Sequence, residues 1–171
     1  MRGPAGAQIG GGMNGEQRPA VAVLGMGNLI YSDDGAGLRA LWQLEKDPAL
    51  PPGVDIVDGS VAGLPVVNLI ENAERLLILD AVHVGAVPGT VVRLDDSDLK
   101  EISGGAHVHE LGVSDLISAL RLMGKMPRQM VLLGIQADSI ALGTELTPAV
   151  ESGLPRLVSE SLCLLAEWTS L

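Results

Sequence analysis

Two carboxylates and an imidazole stand where this chain could do metal chemistry. Asp34 closes the stretch "LGMGNLIYSDD", Asp80 closes the apolar run "RLLILD", and His109 lies in "GGAHVHELGV". Such a set suits Zn, Ni, Fe or Mn and leaves coordination positions open for water or a substrate group. Each residue also has a plainer role. Asp80 could cap or bond to a neighbouring loop, and a lone histidine is commonly a surface or capping residue. His107 could replace His109 or join it, and His83 is a further candidate. Spacing alone does not bring residues this far apart together.

Covalent catalysis is disfavoured. Ser60 lies in "DGSVAG", which is not a G-x-S-x-G nucleophile elbow. Cys163 falls among Leu157, Val158, Leu162 and Leu165, the setting expected of a buried core thiol. As the one cysteine, it excludes an intramolecular disulfide and a multi-cysteine zinc site.

The first glycine turn poses an alternative, because Gly25, Met26, Gly27 and Asn28 open like a nucleotide-binding loop. A dinucleotide fingerprint wants a third glycine where this chain has Ile30, and no G-K-[ST] follows to make a P-loop. Asp58 could imitate the ribose-binding acid, but it lies farther along than the usual ~20 residues. Electrostatics weighs more. A helix N-terminus attracts anions, yet Asp33 and Asp34 already place negative charge there. One of the pair is expected to cap the helix starting near Gly35 and the other to face a cation.

The elements that must position these residues follow from periodicity. "AVAVLG", "VDIVDG", "RLLILDAV", "GTVVRLD" and "RQMVLLGI" read as five strands, largely continuous apolar runs. Helices are expected over "GAGLRALWQLEKD", "AGLPVVNLIENAE" with Pro65 in its first turn, and "GVSDLISALRLMGK". In the last of these, Ser114 is the expected N-cap, and Leu116, Ile117, Leu120 and Met123 form the apolar stripe. A long helix closes the chain from Thr147 to about Trp168, with Pro148 at its first position. Alternating strands and helices imply an α/β fold: three layers, α/β/α, around a twisted, mainly parallel sheet of about five strands. Ligands gather outside the carboxyl ends of such strands. That rule points to 28–34, 58–60, 80–83 and the segment before Ser114.

Bulk properties agree with a globular chain. Of 171 residues, 47% are hydrophobic and 19% charged, enough for one domain with a proper core. Residues 1–19, rich in glycine, are expected to be a flexible tail, with 20–171 forming the domain and Met13 a possible start. A formal net charge of -10 argues against nucleic acid and against a polybasic membrane contact. With no signal peptide and no apolar run of roughly 18 residues, the expectation is a cytoplasmic protein, taken as a monomer.

Taken together, "LGMGNLIYSDDGAG", "VDGSVAGL", "LLILDAV", "PGTVVRL", "HELGVSDLISALRLMG" and "VLLGIQADSIALGTELTPAV" resemble the [NiFe]-hydrogenase maturation endopeptidases, in the same order. The resemblance runs from about Val21 to the C-terminal helix. It implies a twisted sheet between helices. It also implies an enzyme that clips a C-terminal extension from the hydrogenase large-subunit precursor after nickel insertion. Carried over by motif, the metal-recognition residues are Asp34, Asp80 and His109, with Asp34 and Asp80 as the catalytic acids. Some members have Glu where this chain has Asp34, one methylene shorter, and "DGS" at 58–60 stands for the commoner "DGG".

Two mechanisms fit the resemblance. A bound divalent metal could polarise the scissile carbonyl or generate hydroxide. Alternatively the triad reads nickel carried by the substrate, and Asp34 or Asp80 acts as general base for water, as in an acid protease. Nickel reading is favoured because it gives an open-coordination triad a checking role. The rivals are a metal-dependent peptidase or amidohydrolase with an unrelated substrate, and a nickel-binding chaperone or docking module that does not cut.

Overall fold

The structure is a computed structural model that describes residues 20–60, 66–102 and 112–170. The expected 1–19 tail, Pro65, His107 and His109 lie outside the described residues. In chain order the elements are β1 (Val21–Gly25), a 3-10 turn (Ser32–Gly35), α1 (Ala36–Glu45), β2 (Val54–Asp58), α2 (Val66–Ile70) and β3 (Arg75–Val82). They continue with β4 (Val91–Leu94), α3 (Asp96–Ile102), α4 (Val113–Leu122), β5 (Gln129–Gln136) and α5 (Pro148–Thr169). The five strands form one sheet in the order β2-β1-β3-β5-β4. All neighbours run parallel except β4, which is antiparallel to β5. This is the mainly parallel α/β sheet that the apolar runs imply.

Alternate side chains of each strand face opposite layers, and the sheet is apolar on both. Leu77 and Leu79 of β3 join α1 and α5 residues such as Leu41, Leu44, Leu157 and Trp168. Leu76 and Ile78 join Ile70, Leu99, Ile117 and Leu120 on the other side. Each fully buried leucine contributes ~1.5–3 kcal/mol, so most of the stability lies in these two layers. Asp80 continues the parity of Leu76 and Ile78, and so lies on the α2–α4 side of the sheet.

The fold departs from expectation at several element ends. α2 stops at Ile70 rather than near Glu74, because the Glu74 and Arg75 N–H groups donate to Ala20 O at 2.8 and 3.1 Å and start β3 there. α4 has Gly112, not Ser114, at its N-cap, and no side chain caps it. Leu116, Ile117 and Leu120 are buried as expected, but Met123 is exposed. It stands past the last turn, where Gly124 at φ +65 closes a Schellman motif: Lys125 N–H meets Leu120 O at 2.8 Å and Gly124 N–H meets Arg121 O at 3.1 Å. Cys163 is exposed, not buried. The inner stripe of α5 runs through Leu157, Ser161, Leu164, Leu165 and Trp168, and Cys163 points off it. No helix among the described residues is long and apolar enough to cross a membrane.

Candidate functional site

The sheet reverses its winding between β1 and β3, since β2 lies on one side of β1 and β5 on the far side of β3. That switch point is where an open parallel sheet forms a crevice at its carboxyl end. Both aspartates singled out by sequence are carried there. Asp34 follows β1, and Asp80 lies on β3 one residue past Leu79, the partner of the last β1 residue, Gly25. A bond from Met26 N–H to Leu79 O, 2.8 Å long, ties the turn after β1 to the residue before Asp80. β3 itself runs on to Val82 against β5, so Asp80 sits inside the β3–β5 ladder and not at the strand's last position.

Two glycines make this approach possible. Gly27 has φ +126, and a Cβ there would fall 1.8 Å from the Asp34 carbonyl oxygen. A Cβ on Gly37 would fall 2.3 Å from Leu79 O and 2.5 Å from Met26 O. Gly37 thus gives the close helix-on-strand packing that a third fingerprint glycine would supply, although Ile30 holds that sequence position. Asp34 is held by its own turn, with its N–H donating to Tyr31 O at 3.1 Å and its Oδ2 accepting from Asn28 N–H at 2.7 Å.

Asp33 is not the N-cap of α1; that position is Gly35, which has no side chain to cap with. Asp33 is fully buried and turned the other way. Its Oδ2 accepts from Asp138 N–H (2.9 Å), Ser139 N–H (3.0 Å) and the Thr147 hydroxyl (2.8 Å), and its Oδ1 from Thr147 N–H (2.7 Å). Burial alone would push this carboxyl up. The N–H groups of Ser139, Thr147 and Asp138 and the Thr147 hydroxyl outweigh it and hold the pKa below the ordinary 3.8. The backbones join as well. Ser32 N–H donates to Gly143 O (2.8 Å), Gly143 N–H to Ile30 O (2.9 Å) and Asp33 N–H to Ser139 O (3.1 Å). Between them Ser32 adopts φ 49, a left-handed conformation that costs a non-glycine residue about 1 kcal/mol or more and persists because the bonds on either side impose it.

The other sequence-selected residues sit at neighbouring strand ends. His83 is exposed just after β3, in a loop fixed by buried Gln136, whose Oε1 accepts from Val84 N–H (2.9 Å) and Ala86 N–H (3.2 Å). The Asp80 Oδ1 accepts from Ala81 N–H at 2.8 Å. At the tip of β2, Asp58 accepts from Ser60 N–H (2.9 Å) and the Trp42 indole (3.2 Å). Burial raises its pKa, but bonds from the Ser60 side chain and N–H and from Trp42 win, leaving it below 3.8. Ser60 is thus part of a local turn. Among the described residues no three His, Cys, Asp or Glu side chains gather as a metal-holding group. Asp34 and Asp80 stand at the same end of the sheet, and His109 lies outside the described residues.

Residues 38–163 match the family model described as hydrogenase maturation protease. This chain belongs to the hydrogenase maturation protease family. The protease is 35% identical over 151 residues to the hydrogenase expression/formation protein HupD of Bradyrhizobium diazoefficiens, covering 86% of this chain and 79% of that one. It is 34% identical over 149 residues to the hydrogenase 2 maturation protease of Escherichia coli, covering 86% and 91%. Its fold matches the solved hydrogenase maturating endopeptidase HybD of E. coli with a TM-score of 0.77 at 33% identity, covering 86% and 92%. The [NiFe] hydrogenase maturation protease HybD of Thermococcus kodakarensis matches at 0.67 and 26%, covering 85% and 98%. The protease is therefore an endopeptidase, as the motif order implied, and the nucleotide-loop alternative falls away. What sequence reasoning missed is the part played by Asp33. The only available signal was that a cation needs one carboxylate from the turn and the turn has two.

Proposed function

We propose that this protease removes a C-terminal peptide from the [NiFe]-hydrogenase large-subunit precursor once nickel has been inserted. In this reading Asp34, Asp80 and His109 recognise the nickel that the substrate carries. The observation that supports it is that Asp34 and Asp80 lie at the same end of the sheet, where Met26 N–H, in the turn that leads from β1 to Asp34, donates to Leu79 O beside Asp80 at 2.8 Å. Oxygen and imidazole donors with open positions suit a metal that arrives already partly coordinated. Nickel bound by the triad aligns the scissile peptide beside it, and a carboxylate of the pair takes the proton from the attacking water. A precursor without nickel lacks that anchor and is not aligned.

The test is cleavage of the cognate precursor, with and without inserted nickel, followed by mass spectrometry. Cleavage of the nickel-loaded form alone is expected. Equal cleavage of both forms would remove the nickel-reading role, and no cleavage of either would overturn the proposed substrate. Asp34→Ala and Asp80→Ala are each expected to lower the cleavage rate by ~100-fold or more. Full activity in Asp34→Ala would overturn the assigned site.

A further inference from the structure

The mechanism above leaves one buried titratable group unused, although it sits beside Asp34. We infer that Asp33 is a positioning residue: through Thr147, Asp138 and Ser139 it locks the β5–α5 loop onto the turn that carries Asp34, and so sets where the Asp34 carboxylate stands. The inference rests on the reading of Asp34 as a site residue.

The geometry is specific to that task. Asp33 is 0% exposed and accepts four hydrogen bonds from residues 138, 139 and 147, all more than 100 positions away. Thr147 is the N-cap of α5, yet its Oγ1 accepts no cap bond from its own helix, and its O–H donates to Asp33. Its N–H, which a capping-box Glu would normally accept, also goes to Asp33, while α5 has Val150 at the capping-box position. The carboxylate thereby anchors the start of a 22-residue helix packed on the sheet. Asp34 is held from the other side by Gly27 and Asn28. Its main chain is therefore clamped between the glycine turn and the Asp33 strut. A catalytic group displaced by about 1 Å loses about 100-fold in rate, so the strut acts on turnover and not only on folding.

The test uses the full chain and the nickel-loaded precursor, with single-turnover cleavage and precursor binding measured well below the melting temperature. Asp33→Asn presents an amide NH2 to one of its N–H donors and is expected to cut the single-turnover cleavage rate of bound precursor about 100-fold. Thr147→Val removes only the hydroxyl bond and is expected to cut it about fivefold, with Thr147→Ser restoring the wild-type rate. A purely structural role would lower the melting temperature and leave the rate of the folded fraction alone. Should Asp33→Asn fail to fold, the Thr147 pair decides. The inference is overturned by folded Asp33→Asn cleaving within twofold of wild type, or by Thr147→Val and Thr147→Ser cleaving alike. Asp34→Ala is run alongside. If it is inactive while the Asp33 and Thr147 variants are normal, only the strut fails; if it is fully active, the site reading fails.

Discussion

Asp33 lies in the turn after β1 and Asp58 ends β2, the strand parallel to it, and hydrogen bonds hold both carboxyls below the ordinary value. Their consequences differ. Asp58 is exposed and bonds to Ser60 and Trp42, two and 16 residues away, closing a local turn. Asp33 is sealed from water and joins the β1–α1 turn to the start of α5, 114 residues on. Removing water makes each of its bonds stronger and makes any unpaired partner costly, whereas Asp58 can exchange its partners for solvent. One carboxylate organises the end of the sheet where Asp34 and Asp80 stand; the other trims a loop.

The harshest way to break this contrast is to open the buried turn itself. Gly27→Ala places a methyl 1.8 Å from Asp34 O at φ +126 and is expected to destabilise the fold by about 4 kcal/mol or more, read from urea unfolding. Asp33→Asn comes next, at about 3 kcal/mol, because its buried amide NH2 faces an N–H donor that loses its acceptor. If it costs under 1 kcal/mol, Asp33 is no more of a strut than Asp58.

Acid titration sharpens the comparison further. A carboxyl whose folded pKa is depressed adds stability that is fully present above its unfolded value of 3.8 and is lost as pH falls through the folded value. Replacing Asp33 by Asn is therefore expected to flatten the loss of stability below pH 3.8, and replacing Asp58 to flatten it less. Equal flattening would erase the distinction. The smallest effect is on Asp58→Asn at neutral pH, about 0.5 kcal/mol, with the exposed turn rehydrating. A loss of several kcal/mol would show that the β2 tip is also part of the frame.

Much of this is legible in the sequence. Strands buried on both faces are continuous apolar runs, and β1, β3 and β5 fall within a residue or two of "AVAVLG", "RLLILDAV" and "RQMVLLGI". That Asp34 follows the first strand and Asp80 closes the apolar part of β3 is readable for the same reason, although β3 runs on to Val82 and keeps Asp80 inside the β3–β5 ladder. Helix ends are less so. Ser114 is a good N-cap by type, yet the cap falls two residues earlier, at Gly112, and the helix begins at Val113, because capping preference is weaker than the packing of Val113 and Leu116. Cys163 is exposed although apolar residues surround it in sequence, because neighbours in sequence are not neighbours on a helix face: it is one residue, about 100°, from buried Leu164.

Apolar periodicity, motif order and hence the family are written in the chain itself, because each depends on residues close together along it. Tertiary structure alone decided which aspartate of the pair turns inward. Asp33 finds its partners at Asp138, Ser139 and Thr147, and nothing local in "SDDGAG" distinguishes it from Asp34. Those segments meet because β1, β3 and β5 run parallel side by side, so the loops leaving their carboxyl ends share one rim. Only there can a buried carboxylate replace water with the N–H groups of a loop 100 residues away.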